Sequence, residues 1–459
     1  MNRKRALKKI KDPKFLKLCQ AAVAEMRRSK IPGCVVGVYH QGEEFIAGFG
    51  KTSREHPLPV TPGTLFQIGS NTKPMVATAV MRLVEAGALQ LDAPVKSYLP
   101  RLRLKDPSST AGVTMRHLLN HTSGFEGDYF NDFGWGDDAL RKIVASLSRL
   151  KQVTPLGDVW SYNNAAYYIA GYTIEVITGK PFQVAMQELV FEPLGMRMST
   201  FFPDDRILTG RYATGHDLIK KRVRVAHPWA MARAEDPAGG VLAPAHDMLT
   251  FARFHMGDGK VDGKRVLKSS TIRNMQVPGV AAADPYQMGL PWFIREMGGL
   301  KILLHGGATN GQNSGFWFIP GQQFALTWLT NSSETNADNL LAHALKIYFK
   351  VSTPEPEPFD LPPEKVQGTL GSYENIEMIL TLTQKKSGVW LSCEHKGGFP
   401  TPESPPLPMP KPMRIGFIAE DRFVVLSGKN KGKRGEFLYA PDGSPAWLRY
   451  GFRIHRKVD

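Results

Sequence analysis

Cysteine is scarce in this chain, with only Cys19, Cys34 and Cys393 among 459 residues. Three scattered thiols build neither a disulfide framework nor a CxxC metal site; they read as buried thiols, and no metal is expected. Long apolar runs are missing too. No stretch of eighteen or more apolar residues occurs, so no membrane span is expected. The opening MNRKRALKKIKDPKFLKLCQ is basic but never reaches the apolar run or small-residue cleavage site of a secretory signal, and the chain reads as retained and cytoplasmic. Acidic residues are outnumbered, 42 Asp and Glu against 58 Lys and Arg, for a net charge of +16. The basic excess is spread over residues 3–11, 220–224, 429–434 and the C-terminal end rather than gathered in one module. With no RNP, zinc-finger or basic-zipper pattern beside it, a specific nucleic-acid partner is not expected, and solubility or attraction for acidic substrates accounts for the charge.

What is present is a globular composition, 42% hydrophobic and 22% charged, in a chain long enough for two packed domains. STPEPEPFDLPPE, at residues 352–364, can form neither a helix nor a sheet ladder and reads as a linker. The expected division is residues 1–352, a proline-rich linker at 353–363, and a second domain at 364–459. A helix around residues 15–28 precedes two strands, GCVVGVYH and EEFIAGFG, joined at Gln41-Gly42. After a mostly helical middle come three strand-like runs, LKILLHG, GFWFIPG and QFALTWLTN, and a helix at 336–350. This order predicts an α+β domain: an antiparallel sheet made from both ends, flanked by terminal helices and carrying a helical insertion. Beyond the linker, short runs separated by turns predict a small antiparallel barrel or sandwich, with FPTPESPPLPMPKPM as one long loop. No internal repeat is visible, and nothing in the pattern fixes an oligomeric state.

FQIGSNTKPMVATAV, residues 66–80, places Ser70 and Lys73 three apart at the start of an apolar helix. At about 100° per residue, Thr78, Arg82 and Glu85 share a polar face, and Lys73 falls opposite, with Ala77, Val80 and Val84. It points toward the core. A lysine drawn into an apolar interior loses hydration and shifts its pKa down, which makes it a usable base. Downstream, VWSYNNAAYYIAG sets Tyr162 and Asn164 two apart where a helix begins, and LLHGGATNGQNSG puts His305, Gly306 and Gly307 at the end of a strand.

In order and setting, Ser70-x-x-Lys73, Tyr162-x-Asn164 and His305-Gly306-Gly307 resemble the three signature boxes of the serine β-lactamase and penicillin-binding-protein superfamily. The likeness is greatest to the class C branch with its related esterases and D-aminopeptidases. RHLLNHTSGF, PAGGVLAPAHDMLTF and IPGQQFALTWLTNS also look like segments of that family, so that the resemblance covers roughly residues 13–351. His305 stands where β-lactamases and transpeptidases carry Lys, and Gly306 where they carry Thr or Ser, which resembles the aminopeptidase and esterase branches. The tail resembles the lipocalin-like barrel attached to some peptidases and acyl-transfer enzymes.

The expected chemistry follows. Ser70 is the nucleophile, and its proton goes to Lys73 if that is neutral or to Tyr162 if that is phenolate. The Ser70 N–H and, by carry-over, the Ala308 N–H stabilise the oxyanion. Gly306 and Gly307 allow close approach of a substrate chain, Asn164 holds Lys73 and a substrate amide, and His305 orients Tyr162 or the substrate's polar end. No metal or organic cofactor is needed. Arg449 and Arg453, in WLRYGFRIHRK, share one face if their strand is continuous and could hold a substrate carboxylate; a turn at Gly451 would break that register, and at a solvated edge they would only discourage aggregation. His117 and His121 lack the glutamate of H-E-x-x-H and read as core or capping residues. Ser314 reads as structural, and Tyr167, Tyr168, Trp317 and Trp328 as mostly core, with one or two of them walling the pocket. The expected activity is a serine hydrolase acting on a small-molecule or peptide amide or ester, D-amino-acid peptides among them. Transfer of the acyl group to an amine, as a transferase or peptide cyclase, and non-catalytic binding are the alternatives.

Overall fold

The computed structural model describes residues 6–458 apart from 203, 205, 206, 208, 209, 353, 405–409 and 429. Helix α1 (Pro13–Arg28) starts where the Asp12 carboxylate accepts the Phe15 N–H at 2.6 Å and Pro13 takes the first position. It leads into β1 (Gly33–His40) and β2 (Glu43–Gly50), joined by a turn with positive φ at both Gln41 and Gly42. The rest of the sheet comes from the far end of the domain: β3 (Val280–Ala281), β4 (Gln287–Met288), β5 (Phe293–Met297), β6 (Leu300–Thr309), β7 (Gln312–Ile319) and β8 (Phe324–Thr330). All pairings are antiparallel in the order β3-β4-β5-β6-β7-β8-β1-β2. Both sheet faces are covered, which is why the strands read as near-continuous apolar runs. Cys34, Val36 and Val38 pack toward α1 and a helix at Ala337–Phe349, while Val35, Phe316 and Phe318 belong to the core shared with the inserted helices. The insertion includes α2 (Thr72–Glu85), α3 (Ala165–Thr178) and α4 (Ala245–Met256).

The C-terminal part is a closed barrel of eight antiparallel strands. They are β9 (Gly371–Glu374), β10 (Met378–Lys385), β11 (Gly388–His395), β12 (Met413–Ala419), β13 (Arg422–Val425), β14 (Arg434–Tyr439), β15 (Pro445–Tyr450) and β16 (Arg453–Val458). Closure comes from β9 on β16, with Tyr373 opposite Lys457. Alternate residues such as Leu380, Leu391, Phe417, Phe437 and Leu448 fill the interior. Of the long proline-rich loop expected between β11 and β12, residues 405–409 lie outside the described residues. All three cysteines are buried. Among the described residues no helix is long and apolar enough to cross a membrane, and no three metal-ligating side chains converge.

Candidate active site

Ser70 owes its position to two glycines. The strand Thr64–Gln67 ends at a tight turn in which Gly69 has φ +53°, and a Cβ there would lie 2.7 Å from the backbone N and O of Ala308. On the facing strand, a Cβ on Gly307 would come within 1.9 Å of Ile68 O. Only glycine at both positions lets the Ser70 turn press against β6. Ser314 locks the contact, its hydroxyl donating to Ile68 O at 2.6 Å and accepting from Asn71 Nδ2 at 2.7 Å.

In the first turn of α2, Lys73 is fully buried. The helix is not amphipathic as expected: every residue from Thr72 to Met81 is buried, and Thr78, placed on a polar face by periodicity, instead gives its hydroxyl to Pro74 O at 2.8 Å. Lys73 Nζ lies 2.7 Å from Asn164 Oδ1, 2.7 Å from Ala238 O and 3.2 Å from Ser70 Oγ. Burial pushes its pKa well below that of an ordinary lysine, the Arg453 charge pushes the same way, and Asp128 opposes them. A neutral amine has two N–H groups and one lone pair. Protonated, Nζ donates to all three oxygens; in the neutral form, with both N–H groups on the two carbonyl-type oxygens, the lone pair would be left for the Ser70 hydroxyl.

The Tyr162 ring lies 5.0 Å from Lys73 Nζ and stacks on His121 at 4.4 Å. Burial raises the phenol's pKa, and the nearby Ser70 hydroxyl and Arg453 draw it back, although the Tyr162 hydroxyl completes no well-aligned hydrogen bond. His305 packs at 6.1 Å from the same ring, with Nδ1 held at 2.7 Å from Gly306 O. Burial, aided by Lys73, lowers its pKa to about 3, so it is a neutral group here. His117 caps a helix with Thr114, whereas His121, expected only as core or cap, contributes the face on which Tyr162 rests.

The barrel reaches this site through the β15–β16 hairpin. Phe452 O accepts the Tyr162 N–H at 2.9 Å, and the Phe452 ring packs 5.1 Å from that of Phe293. The turn at Gly451 does break the register. Tyr450 pairs with Arg453 and Arg449 with Ile454, so the two guanidiniums leave opposite faces of the ribbon. Arg449 is buried between domains, donating to Trp160 O at 3.2 Å and pairing with Glu436; it does not line the cavity around Ser70. Arg453 does line it, but its paired hydrogen bonds go to Asp128 rather than standing open for a substrate carboxylate.

Three contributors escaped the sequence reading. Asp128, in GDYF, accepts from Asn164 Nδ2 at 2.7 Å; burial works against its charge, but Arg453 prevails and its pKa is lowered. Glu377, from the β9–β10 turn, makes a carboxyl-to-carboxylate hydrogen bond with Asp128 and has its pKa raised to about 8 by burial and that neighbour. Ala238 O is a backbone atom with no side-chain signal at all.

β5 pairs with β6 only over Leu300–Leu304, leaving the His305–Thr309 edge facing the cavity on that side. The cavity, about 1270 Å³, is lined by Ser70, Tyr162, Asn164, Gly306, Gly307 and Ala308 from the first domain and by Glu377, Phe399 and Arg453 from the second. Against known sequences, the Beta-lactamase family profile matches residues 19–347. The chain belongs to the Beta-lactamase family. Among its relatives, "Penicillin-binding protein 4" of Amycolatopsis lactamdurans is 32% identical over 361 residues, 75% of this chain and 93% of that protein. A "D-aminopeptidase" of Gluconobacter oxydans is 26% identical over 370 residues, 76% of this chain and 65% of that one. The solved structure of SurE superposes with a TM-score of 0.75 at 26% identity, covering 97% of this chain and 100% of that one. This likeness extends past the Beta-lactamase match to take in the barrel.

Proposed function

We propose that this protein is a serine hydrolase that opens an amide or ester through an acyl-enzyme on Ser70. The observation that carries the reading is the dry Lys73 amine, with two oxygens to receive its N–H groups and Ser70 Oγ at 3.2 Å from its nitrogen. Lys73 takes the Ser70 proton as Oγ attacks the carbonyl carbon, and the oxyanion is received by the Ser70 and Ala308 N–H groups. Collapse expels an amine or alcohol, which takes its proton from the Tyr162 hydroxyl. The raised pKa of that phenol suits a donor, and Lys73 returns the proton to it. Water then repeats the sequence on the ester. The exposed Gly306–Ala308 edge suits an extended peptide lying as an added strand. D-amino-acid peptides are the substrate class we favour, on the strength of the aminopeptidase relative. The catalytic unit would be residues 1–352, with 353–363 as linker and 364–459 as the barrel.

Transfer to an amine is the second reading, favoured by a cavity of about 1270 Å³ walled by both domains, with room for a second reactant beside the acyl group. Labelling with a fluorescent fluorophosphonate followed by peptide mass analysis tests the first. An adduct on Ser70 supports it, and an unlabelled protein, or label retained in Ser70→Ala, refutes it. Adding a D-amino acid amide during ester turnover and finding a new amide product would establish transfer.

A further inference from the structure

Arg453 stands on the last strand of the barrel, yet its guanidinium is spent on the first domain. Nε lies 2.7 Å from Asp128 Oδ2, Nη2 lies 3.0 Å from Asp128 Oδ1, and Nη1 donates to Gly451 O at 3.0 Å. Asp128 Oδ1 also accepts from Asn164 Nδ2 at 2.7 Å, and Asn164 turns its Oδ1 to Lys73 Nζ at 2.7 Å. A line of short hydrogen bonds thus runs from the barrel to the amine beside Ser70.

We infer that Arg453 and Asp128 are a positioning pair, one member on each domain, that fixes the orientation of Asn164 and balances the charge around Lys73 and Tyr162. The inference rests on the acyl-enzyme reading. An asparagine amide can present either its oxygen or its NH2 to a neighbour, and a carboxylate, which only accepts, forces the NH2 toward itself and the oxygen toward Lys73. A lone carboxylate in so dry a place would be costly, and the bidentate guanidinium offsets that cost. Arg453 also lies 4.7 Å over the Tyr162 ring.

The other groups around the pair are close to neutral. Glu377 carries the proton it shares with Asp128, and His455, pushed down to about 4 by burial, is uncharged, as are His121 and His305. The two members act with opposite sign: Arg453 lowers the pKa of Lys73 and of Tyr162, and Asp128 raises both. The direction of each effect is therefore the same whichever of the two serves as base.

The test reads the acidic limb of kcat/KM for a p-nitrophenyl ester, and of the fluorophosphonate labelling rate, in R453Q, D128N and the double variant. All are made in E377Q, where an amide stands in for the protonated carboxyl, because Glu377 would otherwise ionise beside Arg453 once Asp128 is neutral. R453Q should move the limb up by about one pH unit and D128N down by a similar amount. The double variant should return near the starting value while running at least tenfold slower, its Asn164 no longer held by a charged pair. Limbs that stay put, or single variants that move in the same direction, overturn the inference. Should R453Q fail to fold, D128N and the double variant still decide it. If the parent protein takes no label at Ser70, the acyl-enzyme reading has failed instead.

Discussion

Replacing Lys73 with Met separates catalysis from stability. The variant removes an amine whose nitrogen touches Asn164 Oδ1, Ala238 O and Ser70 Oγ. Two buried acceptors then lose their donor, at about 1–3 kcal/mol each. Against this, an amine no longer has to be stripped of water, which returns several kcal/mol. The two effects nearly cancel, so the change in stability should stay within about 2 kcal/mol, a shift of only a few degrees in Tm for a domain of this size. Activity has no such compensation. Loss of a positioned base costs about 10²–10⁴ in rate, or about 2.7–5.5 kcal/mol of barrier. Thermal melts and kcat/KM for a p-nitrophenyl ester read both quantities. A folded Lys73→Met protein within tenfold of wild type would show that Lys73 is not the base and pass the role to Tyr162.

Ser70→Ala should keep its melting temperature and show no acyl adduct by intact mass; an adduct elsewhere would move the nucleophile. His255, in the core away from Ser70, is held down to about 3 by burial. Because an unfolded histidine binds a proton below its ordinary value near 6.5, the stability this group supplies is complete above that pH and is lost as pH falls toward 3. Raised carboxyls such as Asp236 and Glu377, at about 8, act in the opposite sense but are common to both proteins when wild type is compared with His255→Asn. The stability gap between them, read from urea midpoints, should therefore shift by up to about 3 kcal/mol toward the variant between pH 7 and pH 4; a constant gap would contradict it. Deleting residues 353–459 exposes Trp160, Tyr286 and Phe293, which pack on Phe452, and strips Asp128 of its cation. Ester hydrolysis should fall at least a hundredfold even where circular dichroism shows a folded remainder, and full activity in the truncated protein would mean the barrel takes no part.

The parts of the site legible in the sequence are those set by local spacing. Ser70 and Lys73 are one helical turn apart, and the glycines after His305 sit at a strand edge, so each motif announced its own geometry. Strands β1, β2, β6, β7 and β8 are legible for the same reason, except that burial on both faces replaces alternation, whereas the short strands β3, β4 and β5 carry no such signal. Legibility ended where a partner is remote. Asp128 looks like any surface acid until Arg453, 325 residues away, is brought to it. His121 reads from the sequence as a core or capping residue, and only packing shows that it supports Tyr162. Thr78 reads as part of a polar face because periodicity cannot tell a half-buried helix from one covered all round. The Arg449 and Arg453 register depended on whether Gly451 turns the chain, and β9, four residues long, gave too short a signal to find.

A dry site of this kind poses one constraint that neither domain meets alone. Lys73 serves as a base only if it stays neutral, which favours removing water, but removing water penalises every charge left behind. The first domain contributes Asp128, a carboxylate on the side of Asn164 away from Lys73. Unpaired, that carboxylate would either take up a proton and cease to fix Asn164, or stay charged and hold Lys73 protonated. The barrel contributes a guanidinium that cannot lose its proton and a carboxyl that keeps its own. The local sum is one anion and one cation, each turned to the other. On the proposed mechanism, that leaves Lys73 and Tyr162 free to exchange protons with Ser70 and the substrate. The same arithmetic explains why the hairpin tip is fastened at several points, by Phe452 O on the Tyr162 N–H and by the Ile454 N–H on Ser161 Oγ at 3.2 Å.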